Sequence, residues 1–174
     1  MTKYLVTGGA GFIGTNLVKR LLADGHEVVV LDNYAGGKKE ERILEGAKYI
    51  DGDIRSENDL EKACAGVDGI FHMAALPRVT FSVENPELTH DVNVNGTLKV
   101  LLAAKKYGVK RVVFSSSSST YGGTEPGNLL KEDVMVKNPV SPYALHKLIG
   151  EHYCRLFNEL YGLETVSLIY FNVY

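Results

Sequence analysis

Cysteine is scarce in this sequence. Cys64 and Cys154 stand alone, with no CxxC pair and no histidine at metal-ligand spacing. That excludes a disulfide framework and a metal centre, and leaves two reduced core thiols in a chain expected in the cytoplasm. An excess of one charge is also lacking, since 19 Lys and Arg face 21 Asp and Glu for a net charge of −2. Nucleic-acid and membrane-surface proteins carry a basic patch, so neither partner is expected. No apolar run nears the roughly 18 residues of a membrane span. Glycines interrupt the first apolar stretch, Met1-Thr-Lys-Tyr-Leu-Val-Thr-Gly-Gly9, too early for a signal peptide. Internal repeats and linkers are missing, so the 174 residues read as one domain, 1–174.

What is present is a folded composition, 45% hydrophobic. Short β-rich runs at 3–7, 27–31, 48–51, 69–72, 111–115 and 165–171 alternate with segments of helical period at 12–24, 57–65, 86–107 and 141–161. Runs such as Val28-Val-Val-Leu31 lack polar alternation, which predicts burial on both faces of a parallel sheet. Gly25 and Gly108 follow two of the helices as stop signals, and Ser56 and Ser141 are N-caps, the latter before Pro142. The pattern predicts an α/β fold, a doubly wound parallel sheet of the Rossmann kind.

Thr7-Gly-Gly-Ala-Gly-Phe-Ile-Gly14 follows the first strand and opens the first helix. Gly8 and Gly11 suit a tight turn against a pyrophosphate, and Gly14 suits close helix–strand packing. A plain structural turn is the alternative, but strand, loop and helix stand in the order that dinucleotide binding requires. Asp32 ends the second strand 18 residues after Gly14, where a carboxylate accepts both ribose hydroxyls and repels a 2′-phosphate. This favours NAD over NADP. Lys38 and Lys39 read as a solvated pair, and Asp53 is either an adenine contact or an ordinary turn residue.

Tyr143 and Lys147 lie four apart at the start of the last helix and so share a face. A cation beside the phenol favours phenolate and makes Tyr143 a usable acid/base; a core tyrosine with a snorkelling lysine is the plainer alternative. The serine run 115–119 is compositionally a flexible loop. Its place at the carboxyl end of a strand instead puts it where open α/β sheets bind ligands.

Taken in order, these motifs resemble the N-terminal part of an extended short-chain dehydrogenase/reductase (the NAD-dependent epimerase/dehydratase family), on its UDP-glucose 4-epimerase branch. Besides those quoted, the matching stretches are Leu31-Asp32-Asn33, Gly52-Asp53-Ile54, Phe71-His-Met-Ala-Ala75, Asn93-Val-Asn-Gly-Thr97, Phe114 to Gly122, Ser141-Pro-Tyr-Ala-Leu-His-Lys147 and Tyr170-Phe-Asn172. The resemblance implies Tyr143 as base, Lys147 on the nicotinamide ribose and Ser117 as the catalytic hydroxyl. It implies that Met73, Ala74 and Ala75 line the cofactor, that Tyr170 and Phe171 border the nicotinamide, and that Asn172 touches the sugar nucleotide. Phe12, Ile13, Asn33, Ile54 and Ser115 join the implied cofactor contacts, and Ser117 and Tyr143 the substrate contacts.

Two positions depart from the family pattern. His146 replaces a small Ser or Thr and reads as a helix-surface histidine; Ile169 replaces a common Arg. Ser118 and Ser119 stand where the superfamily's dehydratases and decarboxylases place carboxylates, which argues against both activities. The implied reaction is NAD-dependent 4-epimerisation of a UDP-sugar through transient oxidation at C4 to a 4-keto sugar and return of the hydride. Rivals are an NAD-binding module or regulator without turnover, and an N-acetylhexosamine or uronate 4-epimerase. The chain ends just after Tyr170-Phe-Asn172, so the C-terminal substrate domain of the family is expected to be absent and this chain inactive alone. Homodimerisation is expected through helices 86–107 and 141–161.

Overall fold

The computed structural model describes residues 1–123 and 137–174. Six parallel strands, β1 (Lys3–Thr7), β2 (Glu27–Asp32), β3 (Ala47–Asp51), β4 (Gly69–His72), β5 (Arg111–Ser117) and β6 (Glu164–Tyr170), form one sheet in the order β3-β2-β1-β4-β5-β6. The order reverses between β1 and β4, and the crevice above that reversal is where doubly wound sheets take their ligands.

The apolar runs in the strands divide between two layers because successive strand side chains point to opposite faces. Leu5, Val29 and Leu31 join the larger core, together with Leu60 of α2 (Glu57–Cys64), Val100 and Leu101 of α5 (Gly96–Lys106), and Phe157 of α6 (Pro142–Tyr161). Val6, Val28 and Val30 enter the smaller core with Val18 and Leu21 of α1 (Phe12–Ala23). Both cysteines are free and buried.

The two predicted caps form as read. The Ser56 hydroxyl accepts from the Asp59 amide and that of Ser141 from the Ala144 amide. The predicted helix 86–107 is instead three pieces, α4 (Pro86–His90), a π-helical turn over Asp91–Asn95, and α5. Its backbone stays right-handed at the junctions, so only the spacing changes. The wider turn carries Asn93, whose amide group both donates to and accepts from the backbone of Leu76. Sequence periodicity gave no sign of α3 (Val79–Glu84), a short helix with Val79 and Val83 exposed. The serine run is ordered rather than flexible among its first residues: β5 extends through Ser117, and a 3-10 turn follows over Ser118–Tyr121.

Candidate active site

Between β1 and α1 the chain turns so tightly that a Cβ on Gly14 would sit 2.3 Å from the Gly8 carbonyl oxygen and 2.7 Å from the Gly9 Cα. Gly8 has φ +70, and its Cβ would meet the Ala74 amide nitrogen at 2.7 Å. Both clashes are with backbone, so only glycine closes this loop and lets it approach the end of β4. The helix that follows then points unshared N–H groups at the crevice.

The crevice is a cavity of about 630 Å³. Gly8, Gly11, Phe12, Ile13 and Gly14 form its floor, and Met73, Ala74 and Ala75 the wall after β4. Asp32, Asn33, Asp53 and Ile54 line one end; Ser115, Ser117, Tyr143 and Lys147 line the other, with Tyr170, Phe171 and Asn172 alongside. Arg42 and Arg55 also line it and were missed by sequence reasoning, whereas Lys38 and Lys39 are exposed outside it.

Asp32 ties the loop to the second strand, for its carboxylate accepts from the Ala10 amide (3.0 Å) and the Tyr34 amide (2.8 Å). Tyr34 has φ +53, and among the described residues it is the sole non-glycine with positive φ. Asp53 is largely spoken for. One oxygen accepts from the Arg55 amide and Nε, the other from Arg55 and Asn33. Arg55 holds this carboxyl down at about 2. Arg55 in turn bridges to Asp91 in the π turn. The two-residue spacing of Asp53 and Arg55 was visible in the sequence; the contact with Asp91 was not.

At the other end, the N-terminus of α6 is fully satisfied. Pro142 has no N–H, the Tyr143 amide donates to the Ser82 hydroxyl of α3 (3.1 Å), and the Ala144 and Leu145 amides donate to Ser141. The undetected α3 thus fixes the backbone of Tyr143. Lys147 Nζ donates to the Ser115 carbonyl at 2.8 Å and lies 5.9 Å from the centre of the Tyr143 ring. Burial pushes the Lys147 ammonium down to about 8. Burial also raises the Tyr143 phenol above its ordinary value of 10, with the Ser117 hydroxyl pulling the other way. Desolvation is thus the larger influence on the phenol, while the Lys147 ammonium donates to a carbonyl. The Ser117 hydroxyl donates to the Ser119 hydroxyl (3.1 Å) and accepts from its amide (3.2 Å).

His146 is not a surface residue as expected. It is 4% exposed, edge-on to His90 at 5.2 Å, and burial lowers it to about 4. A second buried histidine, His72, braces the loop from behind. Thr7 Oγ1 accepts from the Met73 and Ala74 amides, so its own hydrogen goes to His72 Nδ1 (2.7 Å). The Thr97 hydroxyl is spent on the Asn93 carbonyl, so His72 Nε2 donates to Thr97 (2.9 Å). The chain of bonds holds the ring neutral, and burial lowers its pKa to about 3. An unfolded histidine accepts a proton near 6.5, so acid favours the unfolded chain between about 6.5 and 3, and stability falls as pH drops through that window. His146 adds in the same direction. Thermal melts from pH 6.5 to 5, above most carboxylate titrations, should lose stability with a slope from His72 that steepens toward about 1.4 kcal/mol per pH unit as pH falls. A His72→Gln variant should show a flatter profile, and an unchanged slope would refute the assignment.

A glycine loop under a helix N-terminus at the switch point, with Ser117, Tyr143 and Lys147 lining the cavity at the end of β5, defines a Rossmann-fold domain. The chain belongs to the NAD dependent epimerase/dehydratase family, which it matches over residues 4–174. It is 42% identical over 171 residues to a putative UDP-glucose 4-epimerase of Methanocaldococcus jannaschii, covering 98% of this chain and 55% of the relative. The structure superposes with a TM-score of 0.93 on the UDP-glucose 4-epimerase of Thermus thermophilus solved with NAD, at 41% identity, covering 99% of this chain and 56% of that one. For a UDP-N-acetylglucosamine 4-epimerase of Methanobrevibacter ruminantium the TM-score is 0.91 at 40% identity, with 99% and 56% covered. The chain thus spans about half the length of the relatives it matches. Among the described residues no helix is long and apolar enough to cross a membrane, and no three His, Cys, Asp or Glu side chains cluster as metal ligands.

Proposed function

We propose that this chain is the NAD-binding and proton-transferring portion of a UDP-sugar 4-epimerase of the UDP-glucose/UDP-galactose type. The observation that carries the reading is the meeting of Ser117, Tyr143 and Lys147 at one end of a cavity whose other end offers Asp32. The cavity fits a dinucleotide: a tight turn in which Gly8 and Gly14 admit no Cβ, helix N–H groups for a pyrophosphate, and a carboxylate for ribose hydroxyls.

Bound NAD would supply a reversible hydride acceptor for C4 of the sugar. Gly8, Gly11, Phe12, Ile13 and Gly14 hold the pyrophosphate, and Asp32 with Asn33 holds the adenosine ribose. Asp53 and Ile54 border the adenine. Met73, Ala74, Ala75, Ser115 and Tyr170 flank the nicotinamide half, and Lys147 binds its ribose. Tyr143 takes the proton of the sugar 4-hydroxyl and gives it back, with Ser117 hydrogen-bonded to the same oxygen. Asn172 reaches the sugar nucleotide. Ser118 and Ser119 bring no carboxylate to the site, so elimination of water has no acid or base there.

Titration calorimetry of this chain should show one NAD+ per chain, with NADP+ weaker by about tenfold or more because Asp32 repels a 2′-phosphate. Equal affinities would overturn the role of Asp32. The half-length match to relatives favours a second reading, a binding module without turnover of its own. A UDP-galactose assay on the 174-residue chain separates the two, since turnover comparable to a longer relative excludes the second. Helix α5 exposes Leu102 and α6 exposes Leu145, Leu156 and Leu160, apolar side chains available for pairing two copies. A monomeric sedimentation profile would remove the homodimer from this proposal.

A further inference from the structure

Strand β5 outruns its inner neighbour. Its register with β4 ends at Phe114 opposite His72, whereas its register with β6 continues to Ser117 opposite Tyr170. Ser115, Ser116 and Ser117 therefore overhang the sheet on the β4 side, held by β6, which is itself the edge strand. This overhang carries the carbonyl that binds Lys147 and the hydroxyl of Ser117. A strand end paired on one side only needs another anchor if its groups are to keep their geometry.

Helix α6 supplies two. Lys147 donates to the Ser115 carbonyl, and one turn later the Glu151 carboxylate accepts from the Ser116 hydroxyl at 2.5 Å. Tyr143, Lys147 and Glu151 recur every four residues along one side of the helix. The side chain of Ser116 points to the opposite face of the strand from those of Ser115 and Ser117. Glu151 accordingly grips the overhang from behind and is not among the residues lining the cavity. Its side chain is 14% exposed, and Lys137 pairs with its second oxygen. A carboxylate this buried is tolerated because both oxygens have partners.

We propose that Glu151, through its bond to the Ser116 hydroxyl, is a positioning residue that holds the Ser115 carbonyl against Lys147 and the Ser117 hydroxyl beside Tyr143. The proposal rests on the assignment of Lys147 to cofactor binding made above. Glu151 touches neither cofactor nor substrate. Its effect passes along one residue of backbone: loss of the grip on Ser116 frees the 115–117 overhang, and Lys147 loses the carbonyl that aims it.

The test is NAD+ affinity of the 174-residue chain by titration calorimetry, with thermal melts to establish folding. Glu151→Ala and Ser116→Ala should each weaken binding by about tenfold, the size of one hydrogen bond to a charged group. Glu151→Gln keeps an oxygen to accept from Ser116 and should stay within about threefold of the parent. In a Lys147→Ala background, Glu151→Ala should change affinity by less than about twofold, because the group it aims is gone. General loosening of the fold would instead weaken both backgrounds alike. Should Glu151→Ala fail to fold, Ser116→Ala, which removes a single oxygen, carries the same comparison.

A folded Ser116→Ala or Glu151→Ala variant that binds NAD+ like the parent overturns the proposal, as does an equal loss in both backgrounds. If Lys147→Ala alone leaves binding unchanged, the assignment of Lys147 fails, and the positioning role with it. Loss on Lys147→Ala with none on Glu151→Ala sinks only the positioning role.

Discussion

Gly14→Ala should cost about 3 kcal/mol of stability, the upper part of the range for forcing extra atoms into a packed site. The added methyl would lie 2.3 Å from the Gly8 oxygen and 2.7 Å from the Gly9 Cα. Neither atom belongs to a side chain that can swing aside. Relief must come from α1 sliding away from the loop or the loop opening toward solvent. Either movement displaces the helix N-terminus from the pyrophosphate position proposed above, and a shift of about 1 Å at such a site is worth about a hundredfold in function. NAD+ affinity of the variant should therefore fall by about that factor, read by titration calorimetry beside a melting curve. Wild-type affinity in a folded variant would mean that this loop is a turn and nothing more. The Asp32 bond to the Ala10 amide would transmit the same disturbance to the adenosine end.

On the function proposed above, Tyr143→Phe should lower 4-epimerase turnover by about a thousandfold in a protein that carries this chain, the central value for loss of a positioned acid/base. The substitution removes one oxygen from a ring that is 8% exposed. It leaves the amide bond to Ser82 and the Ser141 cap untouched, so the helix and Lys147 stay in place. NAD+ affinity should change by no more than about threefold, which separates loss of chemistry from loss of binding. Burial raises the phenol above its ordinary value, so alkaline pH should favour the proton-accepting form, and that basic limb should vanish in the variant. Turnover within tenfold of wild type (roughly 1.4 kcal/mol of barrier) would transfer the proton-accepting role to another group.

Much of the architecture was written locally. The closeness of Gly14 to Gly8 and Gly9 and the serine caps at 56 and 141 each follow from interactions within a few residues. Steric and capping rules act at that range, so strand, loop and helix starts could be read in order. The π turn over Asp91–Asn95 could not, because its wider spacing is accompanied by Asn93 bonds to Leu76, 17 residues away. Helix α3 escaped for a related reason: its hydrogen bond to α6, Ser82 Oγ accepting from the Tyr143 amide, spans 61 residues of sequence.

The sequence by itself determined the order of the strands and of the longer helices, the kind of loop beneath the crevice, and the scarcity of cysteine that excluded disulfides. Cys64 and Cys154 are indeed free and buried, with burial raising both thiols to about 11. Tertiary structure decided the protonation chemistry. Lys147 sits at about 8 and His72 at about 3 because each is buried, and burial arises from packing between segments distant in the chain. It also decided which serine does what: within a run of five identical residues, Ser115 turns its carbonyl to Lys147, Ser116 its hydroxyl to Glu151, and Ser117 its hydroxyl toward the cavity end near Tyr143. Residue identity cannot distinguish members of such a run. Strand alternation and the helix packed across it can.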